Sequence, residues 1–543
     1  MRRHPGRARR ARPAALLALL VVAATACAPG TGARSGAGGG RIVYAVDSQP
    51  DCLDPQVSPY DITAVIDRNI FDSLVSTDAD GRLRPWLATS WEVSDDGLEY
   101  TFRLREDVRF HDGTPLTADA VKATLDHTVA PETKSQYAAG LISMYRDTTV
   151  VDPYTARIAL TRPYPPLLQL LSTAVFGIQS PTALRADQGR TCGHPVGSGP
   201  FVFADWARNR RVVLDRNPAY QWAPEDAGHT GPARAEGLTV EFVPEAASRF
   251  GALSSGQVDI AAAIPPGSIS RLAHADGFRF LQAPQPGAPY LLLLNPARAP
   301  LDDLRVRQAL QYAVRYDDLV RALYSGRHQR AWGVLSPATP GYNRAVEGAT
   351  PYDPGRAAAL LDAAGWTGRD DAGYRTRDGR RLSIEWPYMT SLMRDQRVLL
   401  AQGIQADARR AGIEIRLTAH EPGTYLKKAL SRDADILAFS WNRADPDVMR
   451  TYFASDQTAD KGGSNAFGVS DPELDAWLRE ASATSDPARR DALDGRAQLR
   501  IQQQAYALPV YAPTTLVGAA DRVRGVTFDA QAYPRFYDAR LEG

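Results

Sequence analysis

Lysine, cysteine and long apolar runs are scarce in this sequence. Only five lysines stand beside 58 arginines, an imbalance that we interpret as coding bias rather than as a functional feature. The first apolar run starts at Ala14 and stops at Thr25, short of the ~20 apolar residues that a membrane-spanning helix requires. No later run approaches that length, so we expect no membrane-spanning segment in the mature chain.

Sequence motifs of common catalytic and metal sites are also missing. The chain contains no G-x-S-x-G, H-E-x-x-H or G-x-x-x-x-G-K-[ST] pattern. Its eight histidines are scattered singly, which argues against a zinc site. The segment "GSGP" at Gly197 lacks the spacing of a dinucleotide-binding loop and is interpreted as a strand turn. These absences predict a protein that is not an enzyme and that holds no metal or other cofactor.

The N-terminus has the features of a bacterial export signal. Six arginines and no acidic residue lie before the end of the apolar run, which is followed by Ala26 and Cys27. The segment "AATAC" resembles the lipobox of bacterial lipoproteins, although Ala24 stands where leucine is commoner. We expect residues 1–26 to be a signal peptide and Cys27 to carry a lipid that anchors the protein to the outer face of the cell membrane. The alternative is an ordinary secretory signal followed by a chance cysteine.

The mature chain would begin with a tether and continue as a large folded body. Residues 27–40 are rich in Gly and Ser, a composition that forms a flexible coil of roughly 20 Å. Removing residues 1–26 takes away six arginines and changes the formal net charge from +1 to −5. A mildly acidic body is a poor partner for nucleic acid, which is bound by basic surfaces. Its length exceeds what one hydrophobic core usually supports, so at least two lobes are expected.

Two further cysteines, Cys52 and Cys192, remain in the predicted mature chain. An even pair in an exported protein favours a disulfide between them. Two free, buried cysteines are the alternative.

Short strands and amphipathic helices alternate along the chain, which predicts an α/β fold. Helix starts are expected after Thr117, at Asp471-Pro472 and at Asp486-Pro487, where a capping residue or a first-turn proline stands. Strands are expected at Ile42–Val46 and at the segments "EYTFRL", "TARIAL", "RRVVLD", "LTVEFV", "PYLLLLN", "LSIEW", "IEIRL" and "DILAFSW".

The segment "WEVSDDGLEYTFRLREDVRFHDGTPLTADAVKATLDH" is specific enough to suggest a family. It resembles the signature of the extracellular solute-binding proteins of family 5, the peptide/nickel-type receptors of ABC importers. Further matches follow in the same order, at residues 195–220, at residues 294–327, and in "AAALLDAAGW" and "ALPVYAP"; the second departs from the family at Arg315 and Tyr316. Within the signature, "SDDG" and "HDGTP" are turns. We therefore interpret His111 and Asp112 as turn residues rather than as a catalytic pair.

The resemblance implies a two-lobed, flytrap-like fold of the type II periplasmic-binding class. We expect lobe I at residues 41–290 and 512–543, with an extra subdomain at residues 86–190, and lobe II at residues 291–511. Two crossings of the chain between the lobes would allow them to close over a ligand. The resemblance also implies ABC permease subunits as partners, and we expect a monomer.

The stretch "SWNRADPD", residues 440–447, follows a strand and is therefore a candidate ligand loop. In peptide-binding relatives the corresponding loop carries an aspartate that meets the peptide's amino terminus. Here the loop is shorter, and Asn442, Arg443 or Ala444 occupies that position. Arg443 could instead bind a carboxylate in a bidentate contact. Asp445 could take a cationic group or, like Asp447, cap the next helix.

Other residues complete the expected ligand site. Trp441 is a candidate because an aromatic side chain at a strand end can pack on a ligand, although it could equally fill the core. The "PDCLDP" loop, with Leu53, is expected from the other lobe, and Tyr290 and Tyr388 lie in or at the end of predicted strands. Each of these also has a purely structural explanation.

The predicted function is therefore the capture of a small solute, a short peptide or peptide-like compound, and its delivery to an ABC permease. Within the receptor class, the alternatives are a metal chelate, an opine-like anion or a sugar. From another class, the alternative is a secreted hydrolase that uses Asp445 and Asp447 as an acid pair.

Overall fold

The computed structural model describes residues 40–78, 81–186, 190–390, 393–394, 396–461 and 463–542. All of them belong to one unit, Gly36–Gly543. The predicted signal peptide, Cys27 and nearly all of the predicted tether lie outside the described residues.

Several α-helices begin where the sequence supplies a capping residue or a first-turn proline. Asp471 and Asp486 cap α14 and α15 by accepting backbone N–H groups, and a proline follows each of them. Thr117 stands at the N-cap of α2, but its side chain makes no cap hydrogen bond there. The helices are α1 Asp61–Asp67, α2 Ala118–Val129, α3 Ala138–Leu141, α4 Leu167–Leu170, α5 Pro181–Ala186, α6 Ala246–Ser254, α7 Pro266–Ala273, α8 Leu304–Ala313, α9 Tyr316–Tyr324, α10 Pro354–Ala363, α11 Arg397–Arg410, α12 Pro422–Leu430, α13 Val448–Phe453, α14 Pro472–Ala483 and α15 Pro487–Gln503.

Strands occupy the predicted apolar segments and several shorter ones. In the first half of the chain they are β1 Arg41–Val46, β2 Val75–Thr77, β3 Leu83–Pro85, β4 Ala88–Val93, β5 Glu99–Leu104, β6 Tyr145–Asp152, β7 Thr155–Leu160, β8 Phe201–Ala207, β9 Arg211–Arg216, β10 Gly237–Phe242, β11 Ile260–Ala262 and β12 Phe278–Pro284. In the second half they are β13 Gly287–Leu294, β14 Gln329–Arg330, β15 Gly368–Arg369, β16 Arg375–Arg377, β17 Arg380–Arg381, β18 Ser383–Met389, β19 Glu414–His420, β20 Ile436–Asn442, β21 Ala507–Ala512, β22 Thr514–Ala520, β23 Val523–Arg524, β24 Thr527–Phe528, β25 Pro534–Arg535 and β26 Arg540–Leu541.

Lobe I is built on a seven-stranded sheet with the order β12-β22-β11-β1-β10-β9-β8. Strand β1 is central and pairs in parallel with β10 and β11, while the other pairings are antiparallel. A separate antiparallel sheet, β4-β5-β7-β6, forms the subdomain against which α2 packs. One continuous apolar cluster joins the subdomain to the main sheet of lobe I.

Lobe II is built on the sheet β14-β21-β13-β20 and on the parallel pair β18-β19. Strand β13 is central and almost wholly apolar, with every residue buried, because it is covered on both faces. Two apolar clusters lie on its two sides, one with α8 to α11 and the other with α13 to α15.

The chain passes between the two main sheets twice, over very short connections. Strand β12 belongs to lobe I and β13 to lobe II, with only residues 285 and 286 between them. Strand β21 belongs to lobe II and β22 to lobe I, with only Pro513 between them. The sequence-based division placed these crossings at residues 290 and 511. The two-lobed α/β architecture agrees with the predicted fold class.

The "GSGP" segment and His111 lie together in lobe I and have structural roles there. Gly197 and Gly199 pack against the backbone of Ile70, and a Cβ at either position would overlap it. His111 lies beside them, donating its backbone N–H to the Gly197 carbonyl and contacting the Gly199 oxygen through Nε2 at 3.0 Å. Burial lowers the pKa of His111. The "GSGP" segment and His111 therefore serve the packing of lobe I.

Candidate functional site

A cavity of about 380 Å³ lies between the two lobes, and we call it the main cavity. Lobe I lines it with residues after β1, the start of α1 and the start of β22. Lobe II lines it with residues around α9, the start of α11 and the end of β20. Its polar and charged lining comprises Tyr44, Asp47, Ser48, Asp61, Arg249, Gln285, Tyr324, His328, Arg394, Gln396, Arg397, Ser440, Asn442, Thr514, Thr515 and Tyr533.

Charge is divided between the two sides of the main cavity. Among the described residues, its carboxylates, Asp47 and Asp61, come from lobe I, and two of its arginines, Arg394 and Arg397, come from lobe II. A third arginine, Arg249, belongs to lobe I, where its guanidinium donates to four backbone carbonyl oxygens. Arg249 therefore fixes the loops that follow β10 and β11.

Asp61 of lobe I and Arg394 of lobe II form an ion pair in the lining of the main cavity. The distance from Asp61 Oδ2 to Arg394 Nη2 is 3.8 Å, which is an ion-pair separation longer than a hydrogen bond. The other carboxylate oxygen of Asp61 accepts a hydrogen bond of 2.7 Å from the Tyr533 hydroxyl. Asp61 also opens helix α1, and the N-terminus of a helix favours a negative charge.

Arg397 is held at the wall of the main cavity by aromatic and hydroxyl groups. Its Nε donates to the Tyr511 hydroxyl at 2.9 Å and its Nη2 donates to Ser440 Oγ at 2.9 Å. The guanidinium lies 4.4 Å from the ring centroid of Tyr290, in a cation–π contact. Tyr290, a predicted ligand residue, thus lies buried beneath Arg397 and is not part of the cavity lining.

The 440–447 loop contributes two residues to the main cavity, Ser440 and Asn442. Trp441 points elsewhere: its Nε1–H donates to the Tyr137 hydroxyl of the subdomain at 2.9 Å, and the two rings are 4.8 Å apart. The backbone of the loop passes close to Gly287, where a Cβ would collide with the backbone of Trp441 and Arg443. The loop therefore forms much of the contact between lobe II and lobe I.

Arg443 lies in a buried network and not in the main cavity. Its Nε is 2.6 Å from Asp445 Oδ2 and its Nη2 is 3.3 Å from Asp447 Oδ2, while only 4% of its surface is exposed. Tyr164 of the subdomain completes the network by donating to Asp447 Oδ2 at 2.7 Å and accepting from Arg443 Nη2 at 3.1 Å. Arg443 was predicted to bind an anion of the ligand, but in the structure it pairs with the carboxylates of Asp445 and Asp447.

The protonation states of this network follow from its ion pairs. Burial acts to lower the pKa of Arg443, but the attraction of Asp445, Tyr164 and Asp447 outweighs burial and raises it. Burial acts to raise the pKa of Asp447, but Arg450 and Arg443 overcome it and the pKa is lowered. Asp447 stays ionised, and Asp445 accepts the Asp447 backbone N–H at 3.0 Å ahead of α13. Both carboxylates are committed to structure.

The remaining predicted residues lie away from the main cavity. Leu53 is fully buried and donates its backbone N–H to the Cys192 carbonyl. Beside it, Cys52 and Cys192 form a disulfide with a Cα–Cα distance of 4.4 Å. Tyr388 is half-buried in β18, opposite Ala419 of β19. The lining of the main cavity, within the described part of the chain, contains neither Leu53 nor Tyr388.

Sequence reasoning missed most of the charged lining. Asp47 follows β1, and Arg394 and Arg397 follow β18, so the rule that ligand groups lie beyond strand ends could have identified them. Asp61 opens α1 directly after a Pro-Tyr pair and carries no such signal.

No group of three or more His, Cys, Asp or Glu side chains in the described ranges is arranged to hold a metal ion. A search of the same residues found no helix long and apolar enough to cross a membrane.

Two lobes joined by two short crossings, with a charged cavity between them, define a solute-binding protein of the kind that closes over its ligand. The family model described as bacterial extracellular solute-binding proteins, family 5, matches residues 82–463. The chain therefore belongs to this family, as its sequence motifs predict.

Named relatives cover nearly the whole chain. The dipeptide-binding protein of Escherichia coli K12 is 28% identical over 532 residues, which cover 92% of this chain and 94% of the relative. The nickel-binding periplasmic protein of the same organism is 29% identical and covers 81% of this chain and 83% of its own length. The crystal structure of NikA from Brucella suis in complex with Fe(III)-EDTA is similar, with a TM-score of 0.80, 28% identity, and coverage of 92% of this chain and 100% of that one.

Proposed function

We propose that this protein binds a short peptide or a peptide-like solute between its lobes and delivers it to an ABC permease. The observation that carries this proposal is the division of charge among the described lining residues, with two carboxylates from lobe I and two arginines, Arg394 and Arg397, from lobe II. A short peptide is a zwitterion, with an ammonium group at one end and a carboxylate at the other. Each end would meet the opposite charge, which a buried ionic group requires.

The size of the main cavity supports a small ligand. Its volume of about 380 Å³ lies near the lower end of the usual range for ligand cavities, ~300–1,000 Å³. That volume suits a peptide of two or three residues better than a long one. Arg397 is the natural partner for the carboxylate, because Ser440 and Tyr511 fix its orientation before the ligand arrives.

The protein is proposed to bind and release the solute without chemical change. The acid pair of the hydrolase alternative, Asp445 and Asp447, is buried and paired with Arg443 and Arg450. A general acid must reach the atom that it protonates, and neither carboxylate lines the main cavity within the described residues. We further propose that the mature protein is a monomer held at the membrane by a lipid on Cys27.

A thermal-shift panel tests the ligand class. Purified protein, first unfolded and refolded to remove retained solute, is heated with a mixed dipeptide and tripeptide fraction, with nickel–histidine and iron–EDTA chelates, with an opine such as octopine, and with sugars. A ligand at about 100 times its dissociation constant adds about 2.7 kcal/mol of stability. The proposal expects stabilisation by the peptide fraction. Stabilisation by a chelate, an opine or a sugar alone would replace it with the corresponding alternative.

The Arg397→Gln variant makes the panel specific to the main cavity. It removes the positive charge while keeping a polar side chain, whose Nε2 falls near the position of the arginine Nε that donates to Tyr511. We expect the peptide-induced shift to fall strongly in this variant. Arg409→Gln, which removes an exposed arginine that reaches Tyr374 from the other end of α11, is the matched control and should respond like the unmodified protein.

A further inference from the structure

We propose that the ligand's ammonium group is bound jointly by Asp61 of lobe I and Asn442 of lobe II, and not by a carboxylate of the 440–447 loop. This inference rests on the proposed function, because it assigns one end of a peptide-like ligand to named atoms. Its basis is the buried amide oxygen of Asn442, which has no donor among the described residues, together with the carboxylate of Asp61, which lines the same cavity.

The carboxylates of the 440–447 loop are occupied. Asp445 pairs with Arg443, and Asp447 receives hydrogen bonds from Arg450 at 3.0 Å and from Tyr164 at 2.7 Å. These groups lie in the buried contact between the lobes. An ammonium could reach Asp445 or Asp447 only by breaking ion pairs that are already desolvated, which is costly.

Asn442 offers an acceptor in place of those carboxylates. Its Nδ2 donates to the Gln531 carbonyl oxygen, which can only accept, so the orientation of the amide is fixed and Oδ1 is the remaining atom. Oδ1 has no hydrogen-bond partner among the described residues, and it is shielded from water because only 8% of the residue is exposed. A buried acceptor without a donor is destabilising, so the site favours a ligand that brings an N–H group.

Asp61 supplies the negative charge that Asn442 lacks. The Tyr533 hydroxyl donates to Asp61 Oδ1, and Oδ2 stands 3.8 Å from Arg394 Nη2. A ligand ammonium could replace Arg394 as the partner of Asp61 Oδ2. It would form a charge-assisted hydrogen bond with Oδ2. Such a bond is shorter and stronger than the present 3.8 Å contact between Oδ2 and Arg394 Nη2.

The two acceptors belong to one location in the cleft. Asp61, Asn442 and Tyr533 all line the main cavity, and all three also line a smaller cavity of about 20 Å³ next to it. An ammonium has three N–H donors. One can point to Asn442 Oδ1 and a second to Asp61 Oδ2, which leaves the third for water.

This assignment links recognition of the amine to closure. Asp61 moves with lobe I and Asn442 moves with lobe II, so a single ammonium can contact both only when the lobes are closed. A ligand shifts an open–closed equilibrium in proportion to its differential affinity for the two states. The free amine, rather than the ligand's side chains, is therefore the group that would drive closure.

The test compares peptides with free and blocked amines. The unmodified protein, Asp61→Asn and Asp445→Asn are each titrated calorimetrically with alanyl-phenylalanine and glycyl-leucine, and with the N-acetylated form of each. A mixed dipeptide and tripeptide fraction, before and after acetylation, extends the comparison by thermal shift. We expect the unmodified protein to prefer the free amine about tenfold or more, as befits a hydrogen bond to a charged group. Asp61→Asn should lose most of that preference.

Asp445→Asn is the matched comparison within the 440–447 loop. We expect it to keep the ratio of the two affinities, even where both affinities fall together. The inference is overturned if Asp61→Asn keeps the preference for the free amine, or if Asp445→Asn loses it. If acetylated and free peptides bind the unmodified protein equally well, the proposed function stands and this inference fails. If neither form binds or stabilises it, the proposed function fails as well.

Discussion

Tyr164 is the residue through which the subdomain reaches the buried charges of lobe II. Its hydroxyl donates to Asp447 and accepts from Arg443, and all three side chains are buried. The network holds two arginines and two aspartates, so its charges balance without any contribution from a ligand. Its role is accordingly to fix how the lobes meet rather than to recognise the solute.

Removing the Tyr164 hydroxyl should loosen the contact between the lobes. In Tyr164→Phe, Asp447 and Arg443 lose a partner while buried, and we expect a stability loss of roughly 1–3 kcal/mol. We also expect a larger radius of gyration without ligand by small-angle X-ray scattering, and weaker peptide binding because the closed state is less populated.

Tyr100→Phe is the matched control for this prediction. The Tyr100 hydroxyl is also buried, and it donates to the Tyr164 backbone carbonyl inside the subdomain at 3.1 Å. Its loss should lower stability without changing the radius of gyration. Equal expansion of the two variants would show that the Tyr164 hydroxyl does not hold the lobes together.

The loop after β20 shows which features of the site can be predicted from the sequence and which cannot. The loop after β20 was identified as important because it follows a strand, and Asn442 does line the main cavity. The partners of that loop could not be predicted, because Tyr164 and Tyr137 lie about 280 and 300 positions away in the chain. No local pattern distinguishes an arginine that lines the cavity from one that lies in a buried ion-pair network.

Among the helices, α15 carries a buried acid whose ionisation should affect stability. Asp494 is almost fully buried, and its Oδ2 has no hydrogen-bond partner within the described part of the chain. Burial, followed by repulsion from Asp447, raises the pKa of Asp494 from 3.8 to about 7. The folded protein therefore binds this proton more tightly than the unfolded chain does.

The contribution of Asp494 to the free energy of unfolding should fall as the pH rises. The stabilising contribution of the Asp494 proton is complete below about pH 3.8 and is lost as the pH rises through about 7. Asp494→Asn cannot ionise, so it should be more stable than the unmodified protein above pH 7, by on the order of 2 kcal/mol, and the gain should shrink toward pH 5. Unfolding temperatures at pH 5 and 8.5 check this prediction.

Asp491→Asn provides the control on the same helix. Asp491 is exposed, lies one turn earlier on α15, and is the last of the causes that raise the pKa of Asp494, so its replacement should reduce the difference between pH 5 and 8.5 only slightly. A gain for Asp494→Asn that is equal at both pH values would argue that the carboxyl group is not protonated in the folded protein.

Elements were easier to predict than the contacts between them. The strands at "EYTFRL", "TARIAL" and "DILAFSW" are β5, β7 and β20, because alternating or continuous apolar residues mark strands. Asp471 and Asp486 cap their helices as expected, whereas the Thr117 side chain makes no cap hydrogen bond. Local chemistry fixes such features, but the meeting of α1, α11 and β20 at one cavity depends on the whole fold.

For the whole molecule, anchoring at the membrane is a separate prediction. Cys27 and its lipobox-like neighbours lie outside the described residues, and the proposal rests on the sequence "AATAC" and the Gly/Ser-rich segment after it. We expect Cys27→Ala to be released into the soluble fraction while the unmodified protein stays with the membrane. Cys192→Ala, a replacement within the folded body, should remain in the membrane fraction to the extent that it folds.

The central claim is that the two lobes enclose one short peptide. Native mass spectrometry of the mature protein, after removal of retained solute and incubation with a mixed dipeptide and tripeptide fraction, tests this claim most directly. The account predicts a one-to-one complex whose added mass matches a peptide with a free amine, and its loss in Arg397→Gln. A spectrum of unliganded protein in the peptide fraction, together with a complex formed from a metal chelate or a sugar, would contradict it.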